Sequence, residues 1–177
     1  METAIRLIGD PVLHCQGSRF PDKPMAAQWQ ELERQIGIAK SSLIAAGGVG
    51  IAANQCAAIA EPYQLIIVGI FHDNARHTAA VRERYPDIVF PEALLMINPD
   101  VQTSSGSTIF RHRCLSVPGQ ICAEIATPQE ITISYQVPDG GQHLQSKTDV
   151  FKGMDAVVLQ HELNHILGGK TYLDCCF

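Results

Sequence analysis

Residues 160–169 read QHELNHILGG and place a glutamate directly after the first of two histidines that are four positions apart. On a helix, positions i and i+4 lie on one face, so His161 and His165 can present their imidazoles to one cation. Glu162 flanks that face, where a carboxylate beside an activated water can act as a general base. The pattern His-Glu-x-x-His therefore indicates a helix that carries a metal site.

The helix around this pattern is predicted to run from about residue 153 to residue 167 and to stop at Gly168 and Gly169. One stripe of it combines apolar residues with both histidines: Met154, Val158, His161 and His165. Val157 adds an apolar face elsewhere, so the helix should be buried. The alternative is a pair of inert core histidines, but each imidazole would then need a hydrogen-bond partner in an apolar layer.

A third ligand is expected upstream of the two histidines. No glutamate follows Glu162, and Thr171 stands where one metalloprotease pattern has its third histidine. The upstream candidates are several histidines and carboxylates and four cysteines, namely Cys15, Cys56, Cys114 and Cys122. Cys114 opens the stretch Cys-Leu-Ser-Val-Pro-Gly, which is typical of a strand end that turns sharply, a common place for functional groups. Spacing alone leaves the choice open.

The composition of the 177 residues is that of a globular protein, with 46 % hydrophobic and 18 % charged residues. The length suits a single domain spanning residues 1–177. A formal net charge of −5 and the lack of a basic run argue against DNA binding. No apolar run is long enough to span a bilayer, and the start, METAIRLIGDP, lacks the pattern of a signal peptide. We therefore expect a cytoplasmic protein without a membrane partner.

The six cysteines are predicted to be free thiols or metal ligands, because disulfides are uncommon in a chain without an export signal. Two of them, Cys175 and Cys176, stand at the extreme tail of the sequence, where we expect an unstructured end.

Hydrophobic periodicity predicts a first helix of roughly 20 residues that stops at Gly47-Gly48. Its apolar stripe is Met25, Trp29, Leu32, Ile36, Ala39 and Leu43. Strands are predicted at residues 64–71, 94–98, 108–115, 131–137 and 143–150, and turns at 104–107 and 138–141. Residues 72–92 are predicted to be a long loop, with a helical turn inside it as the alternative. A helix, several strands and a final helix without regular βαβ alternation favour an α+β fold with antiparallel sheets.

Three ordered segments carry a family resemblance: Gly48-Val49-Gly50-Ile51-Ala52-Ala53-Asn54-Gln55, Cys114-Leu115-Ser116 and His161-Glu162-Leu163-Asn164-His165. They are similar to the three motifs of the peptide deformylase family, and residues 9–13 (GDPVL) resemble the usual opening of that family. The resemblance covers nearly the whole chain. It implies antiparallel sheets around a buried C-terminal helix that carries His-Glu-x-x-His.

The resemblance implies that Cys114, His161 and His165 bind one divalent metal ion. In the family this ion is typically Fe²⁺, and Zn²⁺, Ni²⁺ or Co²⁺ can occupy the site; two imidazoles and a thiolate suit all of them. The implied reaction is hydrolysis of the N-formyl group from the formyl-methionine of peptides or nascent chains, with release of formate. A transient contact with the ribosome is a further family expectation.

The resemblance also implies roles for individual residues. Glu162 is the expected general base and later proton donor, while the amide of Gln55 and the backbone N–H of Leu115 stabilise the oxyanion. The residues expected to bind the peptide and its methionine side chain are Val49, Gly50, Phe110, Arg113, Met154, Val157 and Val158. For the apolar ones, plain core packing is the alternative.

The second motif departs from the family pattern. The family normally reads Glu-Gly-Cys-Leu-Ser, whereas this chain has His112 and Arg113 before Cys114. The arginine that commonly pairs with the family's glutamate is also missing from residues 125–128. We expect Arg113 to favour short or acidic formyl-peptides. Whether His112 is a fourth metal ligand is left open by the sequence. The alternative functions are a metallo-amidase or peptidase with another substrate, and a non-catalytic metal- or peptide-binding homologue.

Overall fold

The computed structural model describes residues 4–86, 88, 92–119 and 124–167. The helices are α1 (Ala26–Ala46), α2 (Ala75–Arg84) and α3 (Gly153–Ile166). The strands are β1 (Gly50–Ala52), β2 (Leu65–Val68), β3 (Leu94–Ser105), β4 (Thr108–Arg111), β5 (Glu124–Thr127), β6 (Glu130–Pro138) and β7 (Leu144–Lys152). Short 3₁₀ turns occupy Pro11–His14 and Ala53–Gln55. The predictions for Gly168, Gly169, Cys122, Cys175 and Cys176 lie outside the described residues.

The strands form two antiparallel sheets, one with five strands in the order β1-β2-β3-β6-β7 and one that pairs β4 with β5. Helix α2 lies between β2 and β3, but these two strands pair antiparallel, so the described elements do not form regular βαβ units. The α+β class with antiparallel sheets is therefore confirmed.

Helices α1 and α3 cover the part of the sheet that is most deeply buried. Every residue of β1 and β2 is buried, and α3 packs against both strands. Helix α1 begins at Ala26 and ends where Gly47 adopts φ 60°, as the predicted stop requires. Met25 does not join the buried stripe, because it precedes the first helical turn and is exposed.

The predicted loop at residues 72–92 is wrong for its central part, which forms the ten-residue helix α2. The side chain of Asn74 caps this helix by accepting a hydrogen bond from the backbone N–H of His77 at 3.0 Å. Only two of its residues, His77 and Val81, are buried. So narrow a buried stripe gives little hydrophobic periodicity to detect.

Strand β3 does not end at Pro99 as predicted but continues to Ser105. The register of β3 against β6 shifts between Ile97 and Asp100, which marks a β-bulge. Asn98 sits in the bulge with φ 51°, a conformation that asparagine tolerates better than most residues. Proline is accommodated in a bulge because it has no N–H to give to the ladder.

Two shorter predictions also need correction. No strand was predicted at residues 50–52, but they form β1, which pairs with β2. The predicted extended stretch at 108–115 is a strand only over Thr108–Arg111, and its partner β5 was not predicted. None of the described helices is long and apolar enough to cross a membrane.

Candidate metal centre

The buried helix α3 brings the His-Glu-x-x-His residues against β1 and the segment that follows β4. His161, Glu162 and His165 are 6 %, 4 % and 1 % exposed. Gly50 of β1 lies against the carboxyl group of Glu162, so closely that a Cβ there would be 2.5 Å from Oε1. The absence of a side chain at position 50 is what lets α3 approach β1 at this point.

Three donor atoms converge at this place, and Cys114 supplies the one that does not come from α3. Its Sγ lies 3.2 Å from Nε2 of His165. That nitrogen is 3.3 Å from Nε2 of His161. All three donors lie within 4.8 Å of one another, and all three residues are buried.

Burial controls the protonation of the donors. It lowers the pKa of His165 to about 4 and the pKa of His161 well below its ordinary value, with the neighbouring His165 and His112 lowering the latter further. Both imidazoles are therefore neutral, as metal ligands must be. Burial, assisted by Glu162, raises the pKa of the Cys114 thiol to about 12. A cation that binds here must displace the thiol proton.

This donor set fits the single metal ion that the polypeptide deformylase resemblance implies. Two neutral imidazoles and one thiolate suit Fe²⁺, Zn²⁺, Co²⁺ and Ni²⁺. A structural ion normally takes four protein ligands, whereas the cluster among the described residues has three members. Three protein ligands leave one position for water or substrate, which is typical of catalytic centres.

The carboxyl group of Glu162 is the strongest candidate for acid–base chemistry. Burial raises its pKa to about 8. Within the described part of the chain its Oε2 has no hydrogen-bond partner. A buried carboxyl oxygen without a partner costs free energy, so its retention beside the donor group points to a functional role.

Gln55 reaches the same centre from the 3₁₀ turn after β1. Its Oε1 accepts a hydrogen bond from the backbone N–H of Ala52 at 2.9 Å. This fixes the amide so that Nε2 faces the centre, 3.5 Å from Sγ of Cys114 and 3.2 Å from Oγ of Ser116. The N–H donors of Gln55 are thus aimed at the space beside the metal ligands.

The centre opens into a cavity of about 500 Å³. Six residues expected to act in catalysis or peptide binding line it: Val49, Gly50, Gln55, Arg113, Leu115 and Glu162. The remaining expected apolar residues, Phe110, Met154, Val157 and Val158, line a smaller adjoining hollow together with Val49 and Arg113. Arg84, the last residue of α2, and Tyr85, which follows it, also line the main cavity and were not expected there.

Helix α2 supports the backbone of Gly47 and Gly48 at the edge of the cavity. Nε2 of His77 lies 2.8 Å from the carbonyl oxygen of Gly48, and its Nδ1 accepts from the backbone N–H of Phe71 at 3.3 Å. Arg84 donates to the carbonyl oxygen of Gly47 at 3.1 Å. These residues were missed because their segment was expected to be a loop; Asn74 as a helix cap was the available signal.

Asn54 ties three parts of the centre together and was also not singled out. Its Nδ2 donates to the carbonyl oxygens of Leu13 and His165, and it is completely buried. Leu13 in turn packs with Cys114 and Val117. The opening segment of the chain therefore helps to hold the cysteine near α3.

His112 lies behind His161 rather than among the donors. Its Nδ1 is 3.3 Å from Nδ1 of His161, whereas the donors of Cys114 and His165 lie on the Nε2 side of that ring. It is not part of the three-residue cluster, so the structure gives no support to its role as a fourth ligand. Arg113 is exposed at the cavity wall.

The antiparallel fold and a buried Cys-His-His group beside a carboxyl are those of a single-metal hydrolase. The model of the polypeptide deformylase family matches residues 3–176, and the chain belongs to this family. A peptide deformylase from Chlorobium luteolum is 29 % identical over 170 residues, which are 96 % of this chain and 76 % of the relative.

Solved structures agree with the family assignment. The fold matches that of a Met-Ala-Ser-bound class I type b peptide deformylase from Acinetobacter baumannii with a TM-score of 0.76, at 24 % identity over 99 % of both chains. A probable peptide deformylase from Synechococcus phage S-SSM7 matches with a TM-score of 0.71, at 26 % identity over 97 % of both chains.

Proposed function

We propose that this chain hydrolyses the formamide bond of N-formyl-methionyl peptides, releasing formate and a free amino terminus. The observation that carries the proposal is the buried Oε2 of Glu162, which has no hydrogen-bond partner among the described residues and lies beside three metal-ligand donors in a cavity of about 500 Å³. A cation held by Cys114, His161 and His165 would supply Lewis-acid chemistry, lowering the pKa of a water and polarising the formyl oxygen.

Glu162 carries the proton through the reaction. Its carboxylate takes a proton from the attacking water, whose oxygen bonds to the formyl carbon. The same carboxyl then gives the proton to the amine nitrogen as the C–N bond breaks. Burial raises the pKa of Glu162 to about 8, which suits a group that must both accept and return a proton near neutral pH.

Gln55 and Leu115 act on the negative charge that develops on the formyl oxygen. The side-chain N–H of Gln55 and the backbone N–H of Leu115 donate hydrogen bonds to it. The bond from Ala52 to Oε1 of Gln55 keeps the donor end of the amide turned toward the centre. Such preorganised donors stabilise the tetrahedral state without needing to reorient.

The methionine side chain is proposed to enter the apolar hollow beside the centre. Val49, Phe110, Met154, Val157 and Val158 line this hollow. The peptide backbone would pass Gly50 and Arg113 on the wall of the main cavity. The metal proposed in the cell is Fe²⁺, with Zn²⁺, Ni²⁺ or Co²⁺ as competent substitutes.

The test is formate release from formyl-Met-Ala-Ser by anaerobically purified, iron- or nickel-loaded protein. Glu162→Gln is the control, and its kcat should fall by about 10²- to 10⁴-fold with the metal still bound stoichiometrically. Equal rates in the two proteins would contradict the role of Glu162. No release by a fully loaded wild type would favour another amide as the substrate.

Arg113 is proposed to set peptide preference. It lines the main cavity together with Arg84, while the buried Glu162 is the single carboxylate among the lining residues that the structure describes. Two guanidinium groups attract an acidic side chain or a nearby carboxyl terminus of a short peptide. Arg113→Gly should reduce the ratio of rates on acidic and neutral formyl-peptides, whereas Arg82→Ala on the exposed side of α2 should not. An unchanged ratio in Arg113→Gly would contradict this preference.

The proposed setting is the cytoplasm, where nascent chains supply the substrate through a transient contact with the ribosome. A reducing compartment suits the free thiols of Cys15, Cys56 and Cys114. Neither DNA nor a membrane is proposed as a partner. Co-sedimentation of the protein with translating ribosomes at low and high salt would test the contact.

A further inference from the structure

His112 occupies the position where the family's second motif has a glutamate, and it is held on both ring nitrogens. It is 2 % exposed. Its Nδ1 lies 3.3 Å from Nδ1 of His161, and its Nε2 lies 3.4 Å from Oγ1 of Thr127. Thr127 belongs to the stretch in which the family's pairing arginine is missing. A histidine and a threonine thus meet where the family pattern has an ion pair.

The contact between the two histidines is made by their edges. The ring planes of His112 and His161 are inclined by only 16°, and their centroids are 5.4 Å apart. The two Nδ1 atoms are much closer, at 3.3 Å. Nearly parallel rings whose nitrogens are closer than their centroids place those nitrogens between the rings, as a hydrogen bond requires.

The direction of this hydrogen bond follows from the proposed metal ligation. With a metal held at the cluster, Nε2 of His161, which lies 3.3 Å from Nε2 of His165, uses its lone pair as a ligand. The proton of a neutral His161 is then on Nδ1, which donates to Nδ1 of His112. His112 in turn carries its proton on Nε2 and donates to Oγ1 of Thr127. That hydroxyl donates to the carbonyl oxygen of Ile125 at 3.4 Å.

We propose that His112 is a positioning residue that accepts the Nδ1–H of His161, fixing its tautomer and ring orientation for metal binding. This proposal rests on the proposed metal-binding function. Ligating histidines commonly donate their second N–H to a carboxylate, a carbonyl or water, and these outer partners raise metal affinity by about 10- to 100-fold. In this chain the neutral imidazole of His112 accepts that N–H and donates its own to Thr127. These two residues stand where the family pattern has a buried ion pair.

The first experiment measures zinc affinity by competition with a chromophoric chelator. His112→Leu removes the acceptor and should weaken zinc binding by about 10- to 100-fold. His112→Asn places an amide oxygen near the former Nδ1 and should recover most of that loss. Thr127→Val removes the hydrogen bond between His112 and Thr127 and should weaken zinc binding less than His112→Leu does. Thr127→Ser keeps the hydroxyl and should bind zinc as the wild type does.

The second measurement reads the tautomers directly. Long-range ¹H–¹⁵N spectra of the zinc-loaded wild type should show His112 protonated on Nε2 and His161 protonated on Nδ1. The absorption bands of the Co²⁺-loaded protein should shift in His112→Leu and stay near those of the wild type in His112→Asn. These spectra do not depend on catalysis.

Several outcomes would overturn the proposal. One is wild-type zinc affinity in His112→Leu, and another is His112 protonated on Nδ1 or directly bound to the metal. If His112→Leu fails to fold, the tautomers measured in the zinc-loaded wild type still test the proposal. A wild type that binds no zinc would overturn both this proposal and the proposed function, whereas loss limited to the variants leaves the proposed function in place.

Discussion

The two ends of the five-stranded sheet are built differently. The inner end consists of β1, β2 and residues 94–97, and most of its residues are buried. The outer end consists of residues 101–105 of β3 together with β6 and β7, where residues 101–105 and most of β7 are exposed. The metal centre lies against the inner end. The polar groups of this centre are buried at the end of the sheet that α1 and α3 cover.

The difference teaches where side-chain identity matters. The inner end is stabilised by apolar burial, and each polar group there needs a specific partner because water is excluded. The outer end is stabilised by the ladder of β6 and β7, which is paired without interruption from Glu130 to Pro138, and by side-chain pairs in contact with solvent. Substitutions at the inner end should therefore have much larger effects.

The largest effect is expected for Gly50→Ala. A Cβ at this position would lie 2.5 Å from Oε1 and 2.8 Å from Cγ of Glu162, so the whole side chain must shift. A misplacement of about 1 Å can reduce kcat by about 10²-fold. The control is Gly37→Ala in α1, where a Cβ would have no atom of the described residues within 4 Å. It should preserve kcat and raise stability by about 0.5–1 kcal/mol. Equal kcat in both variants would contradict the close contact.

The next effect is expected for His77→Leu, which leaves the carbonyl of Gly48 and the N–H of Phe71 without their partner. Loss of a buried partner costs about 1–3 kcal/mol for each group left unpaired. Urea unfolding at pH 7.5 measures the difference from the wild type.

This difference should shrink as the pH falls. Burial lowers the pKa of His77 in the folded protein. Below the ordinary histidine pKa of about 6.5, the unfolded chain takes up a proton that folded His77 does not, so the contribution of His77 to stability is lost. The free energies of unfolding of the wild type and His77→Leu should therefore differ less at pH 5.5 than at pH 7.5. A gap that widens at low pH would contradict the depressed pKa.

A matched pair of substitutions compares the two ends directly. Val68→Thr buries a hydroxyl in β2, where the residue is 0 % exposed, and should cost about 1–3 kcal/mol. Val150→Thr makes the same change in β7, where the residue is 53 % exposed, and should stay within about 0.5 kcal/mol. Thermal or urea unfolding measures both. Similar costs at the two sites would remove the contrast between the ends.

A modest loss is expected for Tyr135→Phe on β6. Its hydroxyl donates to Oδ2 of Asp149 on β7 at 2.6 Å. Removing one such bond should cost about 1 kcal/mol in urea unfolding, because Asp149 can be solvated once its partner is gone. Formate release should not change. A cost as large as that of Val68→Thr would show that the outer end is less tolerant than proposed.

Much of the fold could be predicted from the sequence because its signals are local. The buried α3, the first helix and the β6–β7 hairpin all follow from hydrophobic periodicity and turn residues. Helix α2 has only the Asn74 cap as a local signal, and the passage of β3 through Pro99 has none, since each depends on a partner distant in sequence. His77 needs Gly48 to bury it, and Asn98 is held in its bulge by Phe20 and Gln136.

The sequence by itself determined that two imidazoles and a carboxyl share one side of a buried helix, because an i, i+4 spacing is a property of the helix alone. Only the tertiary structure brought Cys114 to that face and put His112 behind His161. Both residues come from a segment about 50 positions upstream, and their approach depends on how α3 packs against β1 rather than on any local pattern. Spacing along the chain carries no information about which side of a metal ligand a distant residue reaches.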